Sequence, residues 1–235
     1  MRINKFISET GICSRREADK WVEAGRVTIN GKLAELGSQA EKEDDVRVDG
    51  QPIGEKKTSL YIAFNKPVGI TCTTELHIKG NIIDFIGHKE RIFPIGRLDK
   101  DSEGLILLTN NGDIVNQILR AENSHAKEYI VTVNRVVTPQ FLQGMGTGVP
   151  ILDTVTQHCE VSRISDYVFR IILTQGLNRQ IRRMCAHFEY QVRRLQRIRI
   201  MNITLAGLPT GSWRELSTNE LDQIYKDIGS PGLMS

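Results

Sequence analysis

Long hydrophobic runs are missing from this 235-residue chain. No apolar stretch approaches the roughly 20 residues that cross a bilayer, and the N-terminal MRINKFISETG alternates charged and apolar residues where a signal peptide would have an apolar core. No membrane partner and a cytoplasmic location are therefore expected. Cysteine is sparse. Cys13, Cys72, Cys159 and Cys185 have no close pairing and no histidine or cysteine at ligand spacing, which argues against a disulfide framework and against a zinc centre. Reduced, mostly buried thiols are the expectation. Internal repeats and low-complexity tracts are also lacking, and the formal net charge of +3 is too small to point to nucleic acid by its size.

The distribution of that charge is more telling. Arg179, Arg182, Arg183, Arg193, Arg194, Arg197 and Arg199 fall within 21 residues that hold a single acid, Glu189. Arginine's planar fork suits phosphate, so the cluster reads as a nucleic-acid contact. A weaker basic group, Arg2, Lys5, Arg15, Arg16, Lys20, Arg26 and Lys32, lies near the N-terminus. Such a group is as often a solvated face as a binding site.

The first 55 residues read as a small module. Ile3, Phe6 and Ile7 share a helix face that Gly11 can end, and SRRE (Ser14 to Glu17) is a capping-box pattern opening a second helix with Ala18, Trp21 and Val22 inward. Val27 and Ile29 lead into Asn30-Gly31, and Val46 and Val48 into Asp49-Gly50, both two-residue hairpin signals. Arginines at a helix N-terminus make this module a candidate RNA-backbone clamp. The polar QPIGEKKTS (Gln51 to Ser59) reads as the linker, placing domains at residues 1–55 and 60–235.

Beyond the linker the pattern is largely β. Strands are expected at Leu60 to Phe64, Thr71 to Thr74, Phe93 to Ile95, Lys127 to Val133, Val155 to Val161 and Tyr167 to Thr174. RQIRRMCAHF reads as a helix capped by Asn178, with Ile181, Met184, Cys185 and Phe188 inward and Arg182 at the edge of that stripe. RRLQRIRIMNITL reads as strand, and a last helix opens on a capping box at Ser217 to Glu220.

The centre of this pattern is GRLDKDSEGLILLTN, Gly96 to Asn110. Arg97, Asp99, Lys100 and Asp101 crowd a loop that runs directly into the buried strand LILLTN. An aspartate in a glycine-flanked loop is usually a turn residue, but one set against a rigid apolar strand can also be held as a reacting group must be. Tyr129 on the KEYIVTV strand and Arg182 at the helix edge are the other candidates. Each would ordinarily be a structural aromatic or an exposed cation.

With their flanking residues these positions are specific. RINKFISETGICSRREADKWVEAGRVTINGK resembles an S4-type RNA-binding domain. NKPVGI, GRLDKDSEGLILLTN, KEY and GLNRQIRRMC follow in the order and spacing of the pseudouridine synthases that act on ribosomal RNA. RRLQRIRIMNITLAGLP is most similar to the large-subunit synthase F branch. The resemblance implies an α+β fold, in which a small S4-like domain is followed by a catalytic domain with a mixed, largely antiparallel sheet flanked by helices. It implies that Asp99 is the catalytic aspartate, that Tyr129 stacks on the target base and helps remove its C5 proton, and that Arg182 pairs with the aspartate. Arg97 would fill the gap left by the flipped base. RNA contacts are expected from Arg2, Lys5, Arg15, Arg16, Arg26, Lys32, Arg179, Arg193 and Arg194.

No cofactor and no metal are implied. The implied partners are 23S ribosomal RNA, or a large-subunit assembly intermediate, and a tRNA as a further candidate, with the protein a monomer. A non-catalytic ribosome-assembly factor is the alternative, and a carboxylate-dependent hydrolase a weaker one that lacks an evident second acid. Relatives in the F branch can carry a long basic C-terminal tail, whereas this sequence stops at SPGLMS. That difference is expected to weaken RNA affinity and leave the chemistry alone.

Overall fold

The computed structural model describes residues 1–119 and 125–229, so SPGLMS lies outside the described residues. Two compact units emerge, Met1–Leu60 with His88–Ile92, and Tyr61–Gly87 with Phe93–Ser235. In the first, helices α1 (Ile3–Glu9) and α2 (Arg15–Glu23) precede strands β1 (Val27–Ile29), β2 (Lys32–Leu33), β3 (Val46–Val48) and β4 (Gln51–Pro52). The strands form a sheet in the order β2-β1-β3-β4. Ser14 Oγ accepts the Glu17 amide at 3.1 Å and starts α2, which buries Ala18 and Val22 against Ile3, Ile7, Val27 and Val46.

Asn30 and Gly31 (φ 51° and 77°), and likewise Asp49 and Gly50 (φ 51° and 76°), adopt the left-handed pair that a tight hairpin needs. The second hairpin corrects the linker reading. Gln51–Pro52 returns beside β3 as an edge strand, where proline's missing N–H is tolerated.

The second unit contains β5 (Tyr61–Lys66), α3 (Ile82–Ile86), β6 (Phe93–Ile95), β7 (Glu103–Thr109), α4 (Asp113–Leu119), β8 (Lys127–Val133) and α5 (Pro139–Gly146). It continues through β9 (Pro150–Ile151), β10 (Thr154–Val155), β11 (Glu160–Ser165), β12 (Val168–Leu173), α6 (Gln180–His187), β13 (Val192–Ile200), β14 (Ile203–Thr204), β15 (Trp213–Glu215) and α7 (Thr218–Asp227). The main sheet runs β11-β12-β8-β13-β7-β5-β15, with β14 on β13 and β6 on β7. Within it only β7 and β13 pair in parallel among the described residues. The mixed, largely antiparallel sheet flanked by helices is thus as expected.

Strand β7 is central and covered on both faces, so it reads as an unbroken apolar run. Leu105 and Leu107 share a core with Tyr61 and Ala63 of β5, Ile114 and Ile118 of α4, and Leu221 and Ile224 of α7. The α7 capping box is reciprocal. Glu220 N–H donates to Ser217 Oγ at 3.3 Å, and Ser217 N–H to Glu220 Oε2 at 2.9 Å. Ser217→Ala should destabilise the protein by about 1 kcal/mol, measured as a lower thermal midpoint; an unchanged midpoint would show that Glu220 alone suffices.

Three local expectations are corrected. Thr71 makes only an isolated bridge to Asn81, because the chain turns after Lys66 and the Thr71 amide is taken by the Gly80 carbonyl. The segment Val155 to Val161 is not one strand. Leu152 and Asp153 turn left-handed between β9 and β10, Thr156 is buried and bonded to Val149, and β11 begins only at Glu160. The N-cap position of helix α6 falls on Arg179, itself left-handed (φ 51°) and making no side-chain cap, while Asn178 accepts hydrogen bonds from Arg183.

Candidate active site

The loop before β7 carries the expected cluster. Asp99 Oδ2 lies 3.5 Å from Arg179 Nη1, with the carboxylate side chain 34% exposed. Arg179 also grips Asp101 with both guanidinium nitrogens, at 3.0 and 2.9 Å. That hydrogen bond, with the nearby Arg182 adding to it against burial, holds the Asp101 carboxyl below its usual range. Asp101 binds fewer protons folded than unfolded, so this clamp stabilises the loop at neutral pH and is lost as pH falls through the depressed value. Arg182 Nη2 donates to the Asp101 carbonyl at 2.8 Å and to Ser102 Oγ at 3.1 Å. The guanidinium paired with Asp99 is therefore that of Arg179, and Arg182 secures the loop backbone one step further on. The left-handed Arg179 at the start of α6 is what turns its side chain to the loop, a signal that helical periodicity does not carry.

Asp99 opens on a groove of about 520 Å³ lined by Val68, Gly69, Thr71, Cys72, Arg97, Leu98, Asp99, Lys100, Asp101 and Arg179. One wall is the NKPVGI turn, and Lys66 holds it there. Its side chain is fully buried, and its ammonium donates to the carbonyls of Pro67 (2.9 Å) and Ile70 (3.0 Å). Gly69 N–H then donates to the Lys100 carbonyl at 2.7 Å, joining wall to loop. Burial pushes the Lys66 amine below the usual lysine range.

Tyr129 is not on the groove wall; it sits in the sheet, 9% exposed. Ladder register explains its place. Lys66 pairs with Gly104, Gly104 with Arg197, and Arg197 with Tyr129, so four adjacent strands present one row to one face. Gly104 contributes no side chain to that row and needs none. A Cβ there would lie 2.2 Å from the Arg197 carbonyl, and its φ is +104°. Arg197 is 4% exposed; Nε donates to the Leu105 carbonyl at 2.7 Å, and Nη2 is buried with no hydrogen-bond partner among the described residues. A charged donor left unpaired in this way costs on the order of 1–3 kcal/mol.

The expected RNA-contact residues divide between the units. Arg2, Arg15, Arg16, Arg26 and Lys32 are exposed on the first unit, and Lys5 pairs with Glu9. Arg26 is fixed by Asp49 and lies 5.2 Å above the Trp21 ring, beside a concavity of about 480 Å³ that Arg16 and Lys20 also line. On the second unit Arg193 is exposed, and Arg194 pairs with Glu103 at the start of β7. No helix among the described residues is long and apolar enough to cross a membrane.

A carboxylate beside a guanidinium in a loop that runs into a buried strand, in a chain that also carries a small module with several exposed arginines, is an arrangement compatible with an enzyme that acts on RNA. The RNA pseudouridylate synthase family model matches residues 60–187, and the S4 domain model matches residues 1–46. The chain belongs to the RNA pseudouridine synthases and forms pseudouridine in RNA. It is 57% identical over 230 residues to the dual-specificity RNA pseudouridine synthase RluF of Escherichia coli K12, covering 97% of this chain and 79% of that one. Ribosomal large subunit pseudouridine synthase B of Bacillus subtilis is 30% identical, with 95% of each chain covered. Among solved structures, a crystal structure of a pseudouridylate synthase superposes with a TM-score of 0.71 at 26% identity, covering 95% of this chain and 99% of that one.

Proposed function

We propose that the protein isomerises a specific uridine of 23S ribosomal RNA, flipping the base out of its stack and acting on it through Asp99. The observation that carries this reading is the Asp99 carboxylate, half-buried in the groove, in the loop that runs into β7 and 3.5 Å from Arg179. Isomerisation breaks the N1–C1′ bond, turns the uracil and rejoins it through C5, so the base must first leave the helix. Tyr129 receives the flipped base by stacking, and Arg97, exposed on the groove rim, fills the hole it leaves. A guanidinium beside the carboxylate holds it in place by ion pairing, as a reacting group must be held. Arg179 supplies it by direct pairing, and Arg182 acts on the same loop through Asp101 and Ser102.

Residues 1–55 form the RNA-binding module and 60–235 the catalytic domain. The protein acts in the cytoplasm as a monomer. The dual specificity in the name of the relative 57% identical to this chain favours a second RNA class, with tRNA the candidate. Tritium release from [5-³H]uridine-labelled 23S rRNA and tRNA, followed by mapping of the modified nucleotide, tests the assignment. Release from neither, with assembly-intermediate RNA also inert, would favour the non-catalytic assembly factor.

Removal of residues 1–55 should lower affinity for folded rRNA about tenfold or more and flatten its salt dependence, since Arg2, Arg15, Arg16, Arg26 and Lys32 leave with it. Filter binding across a salt series measures this, and an unchanged slope would remove the module from the clamp.

A further inference from the structure

Arg197 is the one member of the central row for which the reading above has no use. Its chemistry is unusual for a strand interior. The guanidinium is buried, and Nη2 lacks a partner among the described residues. Lys66 and Lys127 both sense it, and burial already holds both amines below the lysine range. Such a group is poised to donate to a ligand oxygen, because the cost of leaving it unpaired is relieved only when an acceptor arrives.

Geometry limits what that acceptor can be. Tyr129 is the register neighbour of Arg197 on the adjoining antiparallel strand, where facing side chains start about 5 Å apart. Both are covered, so a base that lies on Tyr129 reaches Arg197 only where both are uncovered together. A pyrimidine stacked on the phenol ring then presents its edge, and not its ribose phosphate, to the guanidinium. From this we propose that Arg197 donates through Nη2 to O4 of the flipped uracil and stabilises the negative charge that gathers there during the reaction. The inference rests on the Asp99 and Tyr129 reading and goes beyond it by giving the base a polar contact.

O4 is chosen for an electronic reason. A nucleophile adding at C6 pushes the C5–C6 π electrons through C4 onto O4. Departure of the base from C1′ leaves an anion at N1 that is delocalised onto O2 and O4. O4 gains charge by either course, so the role does not depend on which is followed. Arg197 acts here only as a hydrogen-bond donor, and the C5 proton leaves by other means.

The test is a mutant cycle on synthetic RNA spanning the mapped target, carrying either uridine or 4-thiouridine, in which sulfur, a weak acceptor, replaces O4 and N3–H is kept. Binding is measured with Asp99→Asn protein so that nothing turns over. That protein should prefer uridine RNA about tenfold, and Arg197→Met added to it should bring the ratio to about one. Arg197→Lys, which keeps the charge but loses the fork, should also reduce the ratio and serves if the Met variant does not fold. No preference in the Arg197 protein, or an undiminished preference in a folded Arg197 variant, would overturn the assignment. Pseudouridine formation by the unaltered chain is scored separately, so failure of the Arg197 contact is distinguishable from failure of the Asp99 reading.

Discussion

Asp99→Asn is expected to lower pseudouridine formation by about 10⁴-fold or more, with RNA affinity changed less than about threefold. Asparagine fills the same volume in the loop but carries no charge and attacks no carbon. The loop itself should survive, because its firm attachments belong to other groups. Arg179 holds Asp101 with two hydrogen bonds, Arg182 holds the Asp101 carbonyl and Ser102, and the Ser102 amide donates to the Asp99 carbonyl, which the substitution leaves in place. Tritium release and RNA binding measured on one preparation separate the two effects. Turnover within about tenfold of the unaltered protein would remove Asp99 as the reacting group and move attention to the rest of the loop.

The second large effect is on stability. Gly104→Ala places a methyl group 2.2 Å from the Arg197 carbonyl and 2.8 Å from its amide nitrogen, at a backbone angle of +104° that side chains avoid. Neither obstacle can yield by rotating a side chain, since both are backbone of the adjoining strand. Conformational strain and overpacking each contribute a few kcal/mol, about 4 kcal/mol together. For a domain of this size that lowers the thermal midpoint by about 10 °C. It also prises β7 from β13 at the root of the Asp99 loop, so residual folded protein should be impaired in turnover as well. A midpoint within about 2 °C of the unaltered protein would show that the ladder can open here at little cost.

Local signals served well wherever the physics is local. Asn30-Gly31 and Asp49-Gly50 turned as hairpins because their residue types tolerate the left-handed pair, and Ser217 with Glu220 closed the capping box seen in the sequence. LILLTN was readable as a strand because burial on both faces removes polar alternation. The α6 stripe of Ile181, Met184 and Cys185 is buried and Arg182 lies at its edge, as its spacing required.

Pairings set by distant residues were harder to see. The left-handed Arg179 takes the capping position expected of Asn178, and no residue-type rule favours an arginine there. Its ion pair with Asp99 joins residues far apart in the sequence, as does the register that sets Arg197 beside Tyr129. A trace of the latter was available. Arg197 keeps the alternation phase of Leu195 in β13, and so falls on a buried position where an arginine is out of place.

The parallel pairing of β7 with β13 has a consequence in time. Every bond that seats the Asp99 loop from that side reaches far along the chain: 78 residues from Asp101 to Arg179, 91 from Glu103 to Arg194, 92 from Leu105 to Arg197. Contacts of such separation form late, after the hairpins and helices on either side. During synthesis, β7 therefore waits as an apolar strand with one unpaired edge until β13 has left the ribosome, some seven seconds or so at about 13 residues per second. A nascent chain cannot work on RNA over that interval, and it is then that the unpaired edge is most open to aggregation and to chaperones.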